Sequence, residues 1–457
     1  MLPAFEAARI ATAVTLSASG RPSTLQRALA IDPDNAEIEH RLGIVLVYSD
    51  GSADRMRGLD HLRHATRLDP REALYWSDLA AACEASHDAS CASDAVSRAL
   101  AASPTTPRLY WSAANYDLRS GRESDAFANF RRLLDLDPAY AEAVFQTCLR
   151  VETSAGVEQG ILASNRNPHV SATFINLASR LGDEDSAYAE WRRLQSADYP
   201  DYADHAKRGY RAASDRVGDQ RAGDAAAAKA AKPVPLSLAE IKPYLDDLID
   251  KGREHEAAVI WADLERLGVI SDSGPGIRGE AGSSAPGGEL VFNGGFETSP
   301  LNAGFDWRLN PQPFISIAIS DASHGGSHSM RMEFTGDRNQ EYEPIFEVVP
   351  VRPGHSYMLS AFVRSEAITS DTGPRLRVRD LACSSTPCLD VSTPDVTSTA
   401  PWHAITLSFT ASAATPFVRL SIWRPRSRGY PSEISGVFWV DDVSIVEHPL
   451  EASRPLY

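Results

Sequence analysis

The sequence predicts two successive fold classes, an α-helical solenoid of repeated helix pairs and then an antiparallel β-sandwich. The first observation is a local pattern ending in proline that recurs in the first third of the chain. The second is a change of hydrophobic period from about 3.6 to about 2 residues after a Gly/Ser/Pro-rich stretch at 271–288. The 457 residues are enough for two or three domains.

Four prolines mark the helical repeat. They are Pro33, Pro70, Pro104 and Pro138, at spacings of 37, 34 and 34 residues. Each ends an apolar segment, and a helix stops at such a proline because proline has no amide hydrogen to donate. In the third unit, Ala114 and Ala126 lie at helical spacing on either side of a turn at Gly121. The repeat therefore predicts stacked helical hairpins, for which binding is the default function.

These units resemble the tetratricopeptide repeat over about 24–270, most closely over 36–138, with Leu42-Gly43 in the first unit. In that family the first helix of each hairpin lines a ligand groove. The resemblance implies these groove positions: Glu37, His40, Ile44, Val47, Leu74, Ser77, Ala81, Glu84, Arg108, Trp111, Asn115 and Leu118. From them we predict a protein-partner site at His40, Ser77, Arg108, Trp111 and Asn115. Trp111 is the strongest candidate because aromatic and Arg side chains dominate interfaces, and the alternative is that it packs against the next hairpin.

Composition divides the chain into segments. They are an N-terminal segment or truncated export signal at 1–23, repeats at 24–200, a charged Ala-rich connector at 201–234, a last hairpin at 235–270, a flexible linker at 271–288, the sandwich at 289–447 and a tail at 448–457. Period-2 alternation predicts strands at 314–319, 328–335, 344–350, 356–364, 375–379, 404–410, 416–423 and 437–446. About eight short strands are typical of a jelly-roll sandwich.

Several segments of this second half resemble carbohydrate-binding modules of families 4 and 9, which have a galactose-binding-like fold. They are Leu-Val-Phe-Asn-Gly-Gly-Phe-Glu at 290–297, Trp307, His-Gly-Gly-Ser-His-Ser-Met-Arg-Met-Glu-Phe at 324–334, the strand at 351–362, Trp402 and Val-Phe-Trp-Val-Asp-Asp-Val-Ser-Ile at 437–445. The resemblance implies a structural calcium at Glu297, Asp441 and Asp442, and no other cofactor. The alternative for these acids is that backbone N–H groups cap them at a strand end.

Sugar recognition needs an exposed aromatic face and nearby polar groups. The candidates are Trp307, Tyr342, Trp423, Arg424 and Arg426, with Tyr430 as a further aromatic, and each could instead anchor the core or a loop. The positive run at 423–428 could meet an acidic polysaccharide. Trp402 opens an apolar strand and is expected to pack.

Charge and cysteines bear on partners and compartment. A net charge of −16 argues against a nucleic-acid partner, and no apolar run reaches membrane-spanning length. Cys83 with Cys91, and Cys383 with Cys388, could form disulfides, which would indicate an oxidising compartment, or remain free thiols. The chain is therefore expected to be extracytoplasmic if an upstream signal exists and cytoplasmic otherwise.

Residues that could carry catalysis are sparse. The sequence has no Gly-rich phosphate loop, His-Glu-x-x-His helix or Gly-x-Ser-x-Gly elbow. The pairs His61 with His64 and His324 with His328 could hold a metal or be solvated. A glycosidase would need two facing carboxylates, and Glu341, Glu343 and Glu347 show no such arrangement in sequence.

We therefore predict a non-enzymatic scaffold that recruits a protein partner and carries a carbohydrate-binding-like module, with a role in bacterial envelope or exopolysaccharide assembly. One alternative is an adaptor whose sandwich binds no sugar. The other is a polysaccharide hydrolase or lyase.

Overall fold

The structure is a computed structural model of the full chain, and it describes residues 2–195, 236–270, 288–381, 388–413 and 416–447. The chain forms two compact units, Met1–Arg166 and Asn167–Tyr457. Helices fill the N-terminal half and two antiparallel sheets follow, which confirms the predicted fold classes. The predicted connector at 201–234, almost all of the predicted linker and the predicted tail lie outside the described residues.

The first unit consists of paired helices. They are α1 (Leu2–Ser17), α2 (Pro22–Ile31), α3 (Ala36–Val47), α4 (Ser52–Leu68), α5 (Ala73–Ala85), α6 (Ala89–Ala102), α7 (Pro107–Arg119), α8 (Glu123–Leu136), α9 (Ala141–Cys148) and α10 (Ser154–Gly160). Each predicted hairpin at 36–138 forms, as α3–α4, α5–α6 and α7–α8, and each hairpin packs on the next. No helix in the described part of the chain is both long and apolar enough to cross a membrane.

Small residues let the two helices of a hairpin approach closely. A Cβ atom built at Gly58 of α4 would lie 2.6 Å from the backbone nitrogen of Val47, so no larger residue fits there without a shift. Gly121 turns the chain between α7 and α8 with a φ of +72°, a conformation that favours glycine. Buried alanines such as Ala114 and Ala126 lie at the hairpin contact, as predicted.

The second unit begins with two more hairpins. They are α11 (Pro168–Arg180) with α12 (Glu184–Leu194), and α13 (Leu238–Asp250) with α14 (Glu254–Arg266). The two pairs contact each other, and Trp191 Nε1 donates a hydrogen bond of 3.0 Å to Asp263 Oδ2. Ser179 Oγ likewise donates to Asp247 Oδ2, at 2.5 Å.

Ten strands form within the described part of the sandwich. They are β1 (Arg308–Leu309), β2 (Ile315–Ser320), β3 (Ser329–Thr335), β4 (Tyr342–Pro350), β5 (Ser356–Ile368), β6 (Arg375–Asp380), β7 (Asp390–Ser392), β8 (Ser398–Thr410), β9 (Phe417–Arg424) and β10 (Ser435–Glu447). One sheet has the order β2-β3-β10-β5-β8 and the other the order β1-β4-β9-β6-β7, with every pairing antiparallel. All eight predicted strands form, and their alternating apolar residues make one core between the sheets.

Helices α13 and α14 pack directly on the sandwich. The Trp261 ring lies edge-on to Phe292 and Phe305, with centroids 5.2 and 5.7 Å apart. A Cβ atom at Gly304 would lie 2.1 Å from the Trp261 ring, so the backbone meets the indole there. The division between compact units falls after Arg166, so these helices and the sandwich belong to one unit.

Candidate binding sites

A cavity of about 410 Å³ opens between the first helices of two successive hairpins, α5 and α7. Its floor comes from α6 and from small residues, and three residues of the predicted partner site, Ser77, Trp111 and Asn115, line it. The complete lining is Ser77, Asp78, Ala80, Ala81, Glu84, Val96, Ala99, Leu109, Trp111, Ser112, Ala113, Asn115, Tyr116 and Arg119. The structure therefore brings most of the predicted α5 and α7 positions to one concave surface, which we call the α5–α7 groove.

Ion pairs and ring contacts fix the side chains around this groove. Arg119 donates from Nε and Nη2 to the Glu84 carboxylate at 2.8 and 3.0 Å, which links α7 to α5. Trp111 is half-buried and packs on Phe130 and Tyr140, at centroid distances of 5.8 and 6.0 Å. It thus packs on α8 of its own hairpin and on Tyr140 just before α9, and it also lines the groove.

Two predicted partner residues, His40 and Arg108, are not among the lining residues. Buried His40 bonds through Nε2 to Asp78 Oδ2 at 2.7 Å and stacks on Tyr75. Asp78 lines the groove, so His40 contacts a groove residue without lining the groove itself. Arg108 is exposed at the start of α7.

The two histidines on α4, which could have held a metal or been solvated, both bind one buried carboxylate. His61 Nδ1 and His64 Nδ1 lie 2.6 and 2.8 Å from the two oxygens of Glu39, on α3. Burial raises the pKa of Glu39, but the bonds from the two imidazoles outweigh it and hold that pKa below its ordinary value. Within the described ranges, no group of three or more His, Cys, Asp or Glu side chains is arranged to hold a metal.

The second candidate site is the outer surface of the β1-β4-β9-β6-β7 sheet. Along β6 the core residues Leu376 and Val378 alternate with half-buried arginines, and on β9 Arg419 and Trp423 are the half-buried residues. We call this surface the Trp423 face; its residues are Arg308, Glu343, Phe346, Arg375, Arg377, Arg379, Arg419, Ser421 and Trp423. Strand register places Arg308, Phe346, Ser421 and Arg377 in one row across four strands.

Trp423 is half-buried among charged groups. The guanidinium carbons of Arg377 and Arg375 lie 4.2 and 5.6 Å from its ring centroid, and its Nε1 donates to Glu341 at 2.9 Å. Such cation–π contacts fix the orientation of an indole on a surface.

Glu343 connects the arginines of the Trp423 face. It accepts from Arg379 Nη2 at 2.9 Å, from Arg419 Nη1 at 3.1 Å and from the Ser421 hydroxyl at 2.5 Å. Burial raises the pKa of Glu343, but these donors outweigh it and lower that pKa. A general acid of a glycosidase needs a raised pKa, so Glu343 is poorly suited to that role. Glu347 is fully buried and accepts from the backbone nitrogen of Phe292.

Three residues that were predicted to bind sugar have buried side chains, so we assign them structural roles instead. Trp307 is fully buried against Phe296, and Tyr342 packs between Phe314 and Phe334. Arg424 is also buried and donates to several backbone and side-chain oxygens, namely Thr372 O, Asn339 Oδ1, Gln340 O, Ser370 Oγ and Ser432 O. The predicted positive run at 423–428 is therefore not one exposed patch, although Arg426 is exposed.

The predicted calcium residues surround a glycine turn at 323–328. Buried Asp441 accepts from the backbone nitrogens of His324 and Gly325 and from that of Asp442. Burial raises the pKa of Asp441, and these bonds oppose the rise. Glu297 accepts from the backbone nitrogens of Ser327 and His328, and the first of these bonds is the main reason its pKa is lowered.

This arrangement of donors matches the N–H-capped alternative more closely than a calcium site. Calcium needs oxygens directed at the ion, whereas the oxygens of Asp441 and Glu297 are directed at N–H groups, and Asp442 Oδ2 bonds to His324 Nδ1 at 2.7 Å. Calcium binding stays a prediction, which melting temperatures with added calcium or chelator would test.

The sequence alone did not predict a common surface for Arg308, Arg375, Arg377, Arg379 and Arg419. A signal was present, because Arg-Leu-Arg-Val-Arg at 375–379 alternates arginine with core residues. The sequence could not show the strand register that places β6, β9, β4 and β1 side by side.

Disulfides form in both units. Cys83 at the end of α5 is bonded to Cys91 of α6, beside the groove residue Glu84. Cys388 is also disulfide-bonded, and its predicted partner Cys383 lies outside the described residues. Cys148 is free and buried, as expected.

No family model and no curated protein matches this chain. Solved structures with similarity to parts of it include a family 16 carbohydrate-binding module (19% identity, 35% of this chain and 99% of that chain, TM-score 0.26). They include the CBM22-1 xylan-binding domain of Xyn10C from Paenibacillus barcinonensis (10%, 36% and 99%, TM-score 0.27). They also include the MamA protein (14%, 42% and 90%, TM-score 0.27). Each similarity covers less than half of this chain.

Proposed function

We propose that this chain is a non-enzymatic binding protein that holds a protein partner in its helical repeats and a glycan on its sandwich. The observation that carries the proposal is the Trp423 face, where a half-buried indole lies among Arg and Glu side chains on one side of a sheet. Aromatic rings contact the apolar side of a sugar, and charged planar groups hydrogen-bond its hydroxyls. Five arginines on this face have acidic partners, which favours a neutral glycan over a polyanion.

Affinity electrophoresis of the full chain against neutral and acidic polysaccharides tests the glycan site. We expect retardation by a neutral polysaccharide, and Trp423→Ala should weaken it by at least about 30-fold, as for a central aromatic contact. Trp402→Ala removes a half-buried indole from the other sheet and is the matched control.

If the wild type binds no glycan, the adaptor alternative is favoured. Release of new reducing ends from any polysaccharide would favour the hydrolase alternative.

The protein partner is proposed to occupy the α5–α7 groove. Small side chains such as Ser77 and Ala81 leave room for an incoming segment, and Trp111 offers an aromatic contact. Ser77→Arg should fill the groove and prevent capture of any partner that the wild type captures. Ser97→Arg makes the same change at an exposed position of α6 outside the groove and should have no effect. Equal capture by both variants would exclude the groove.

The disulfides support an extracytoplasmic location, because such bonds persist in oxidising compartments. Together with a glycan-binding face, this favours a role in a bacterial envelope or in exopolysaccharide assembly. Fractionation of the native host followed by thiol labelling without reductant tests the location. Labelling of Cys83 and Cys91 in the native protein would contradict it.

A further inference from the structure

Helices α13 and α14 border the Trp423 face at its β1 edge. Asp246 of α13 accepts through Oδ1 from Arg308 Nη2 at 2.6 Å and from the backbone nitrogen of Gly304 at 3.1 Å. One helical carboxylate therefore binds both the β1 strand and the loop before it.

The partner of Asp246 is itself a member of the Trp423 face. Arg308 opposes Phe346 in strand register, and Phe346 opposes Ser421. The guanidinium carbons of Arg308 and Arg419 lie 5.8 and 3.9 Å from the Phe346 ring centroid. Arg308 Nη1 is a buried atom, and no described residue accepts a hydrogen bond from it. Arg308, whose side chain is 16% exposed, thus lies next to an aromatic ring on the proposed sugar-binding surface.

The helical pair is fixed to the sandwich, so Asp246 has a defined position relative to the sheet. Trp261 of α14 is buried between Phe292 and Phe305, and Gly304 contacts both Trp261 and Leu245. Asp246 lies on this fixed helix, so its carboxylate can set the direction in which the planar guanidinium of Arg308 points. The two planar groups bond best when they lie in one plane.

We infer that the glycan site is shared between the sandwich and the helical pair, and that Asp246 is a positioning residue that orients Arg308 toward the bound sugar chain. This inference rests on the proposed glycan binding. The row from Arg377 to Arg308 crosses three strand spacings, about 14 Å, so the ligand is a chain of several sugars that runs from the Trp423 side to α13.

The test uses full-length variants in the same binding assay. Asp246→Asn keeps the size of the side chain but removes the charge that orients Arg308, and we expect glycan affinity to fall about three- to tenfold. Asp250→Asn makes the same charge change at an exposed position on the same helix and should leave affinity unchanged. Arg308→Lys keeps the positive charge but loses the planar, forked guanidinium, so it should weaken glycan binding to a similar extent.

The double variant distinguishes positioning from general destabilisation. If Asp246 acts through Arg308, then Asp246→Asn combined with Arg308→Lys should bind no more weakly than the weaker single variant. Additive losses, or unchanged affinity in Asp246→Asn while Trp423→Ala abolishes binding, would overturn the inference and leave the proposed function standing. Loss of binding that follows the melting temperature would also overturn it. No glycan binding by wild type would overturn both.

Discussion

At the scale of single residues, buried charges in the sandwich act as ties between loops. Arg424 ends β9 and donates to the backbone oxygens of Thr372, Gln340 and Ser432, which belong to different loops. Burial lowers the pKa of this guanidinium, so its charge is costly unless every donor finds an acceptor. The tryptophan next to it in sequence faces outward, and strand alternation separates the roles of these neighbours.

We expect Arg424→Met to destabilise the sandwich by about 3–5 kcal/mol, because it leaves several buried carbonyl oxygens without donors. Arg426→Met removes the same charge two residues later, at an exposed position, and should change stability by less than about 0.5 kcal/mol. Urea unfolding followed by tryptophan fluorescence measures both. Equal effects would show that Arg424 is not a structural tie.

At the scale of elements, polar contacts as well as apolar packing hold the two helices of the first predicted hairpin together. Glu39 on α3 binds His61 and His64 on α4, and the close approach at Gly58 brings the helices into reach. The sequence showed the two histidines at one-turn spacing. It could not show their common partner, because Glu39 lies more than twenty residues away and its position depends on how the helices pack.

Glu39→Gln should destabilise the first unit by about 1–3 kcal/mol at neutral pH, since a carboxylate with two imidazole partners becomes an amide. The folded-state pKa of Glu39 is lowered, so its contribution is present above the unfolded value of about 4.3 and is lost as pH falls through the folded value. Melting temperature against pH should therefore fall less steeply on the acid side in the variant. Glu37→Gln, on the exposed side of α3, is the control. The same acid slope in Glu39→Gln as in wild type would contradict the assignment.

Strands with clear period-2 alternation were predictable, and very short ones were not. All eight predicted strands form, whereas β1 (Arg308–Leu309) and β7 (Asp390–Ser392) have too few residues to show a period. β1 nevertheless supplies Arg308 to the Trp423 face. The unpredicted strand thus belongs to the most informative site.

At the scale of the whole molecule, the sequence predicted the order of helical and β segments but not which of them form one unit. Trp261 lies in the predicted last hairpin at 235–270, and it packs on the sandwich loops at Phe292 and Phe305. Contacts between segments on either side of 271–288 leave no local pattern, so composition alone suggested a boundary there. The apolar contact makes α11 to α14 and the sandwich one compact unit.

Trp261→Ala tests this organisation. Removing a buried indole should cost about 3–5 kcal/mol, and most of that loss should fall on the contact between α14 and the sandwich. Hydrogen exchange of backbone amides in α13 and α14 should then speed up by about 100-fold or more, while amides in β4, β5 and β9 change much less. Leu181→Ala, at an exposed position of the same unit, should alter neither set. If helices and strands lose protection equally in Trp261→Ala, the indole stabilises the unit as a single cooperative core. Unchanged protection everywhere would mean that α13 and α14 fold without support from the sandwich.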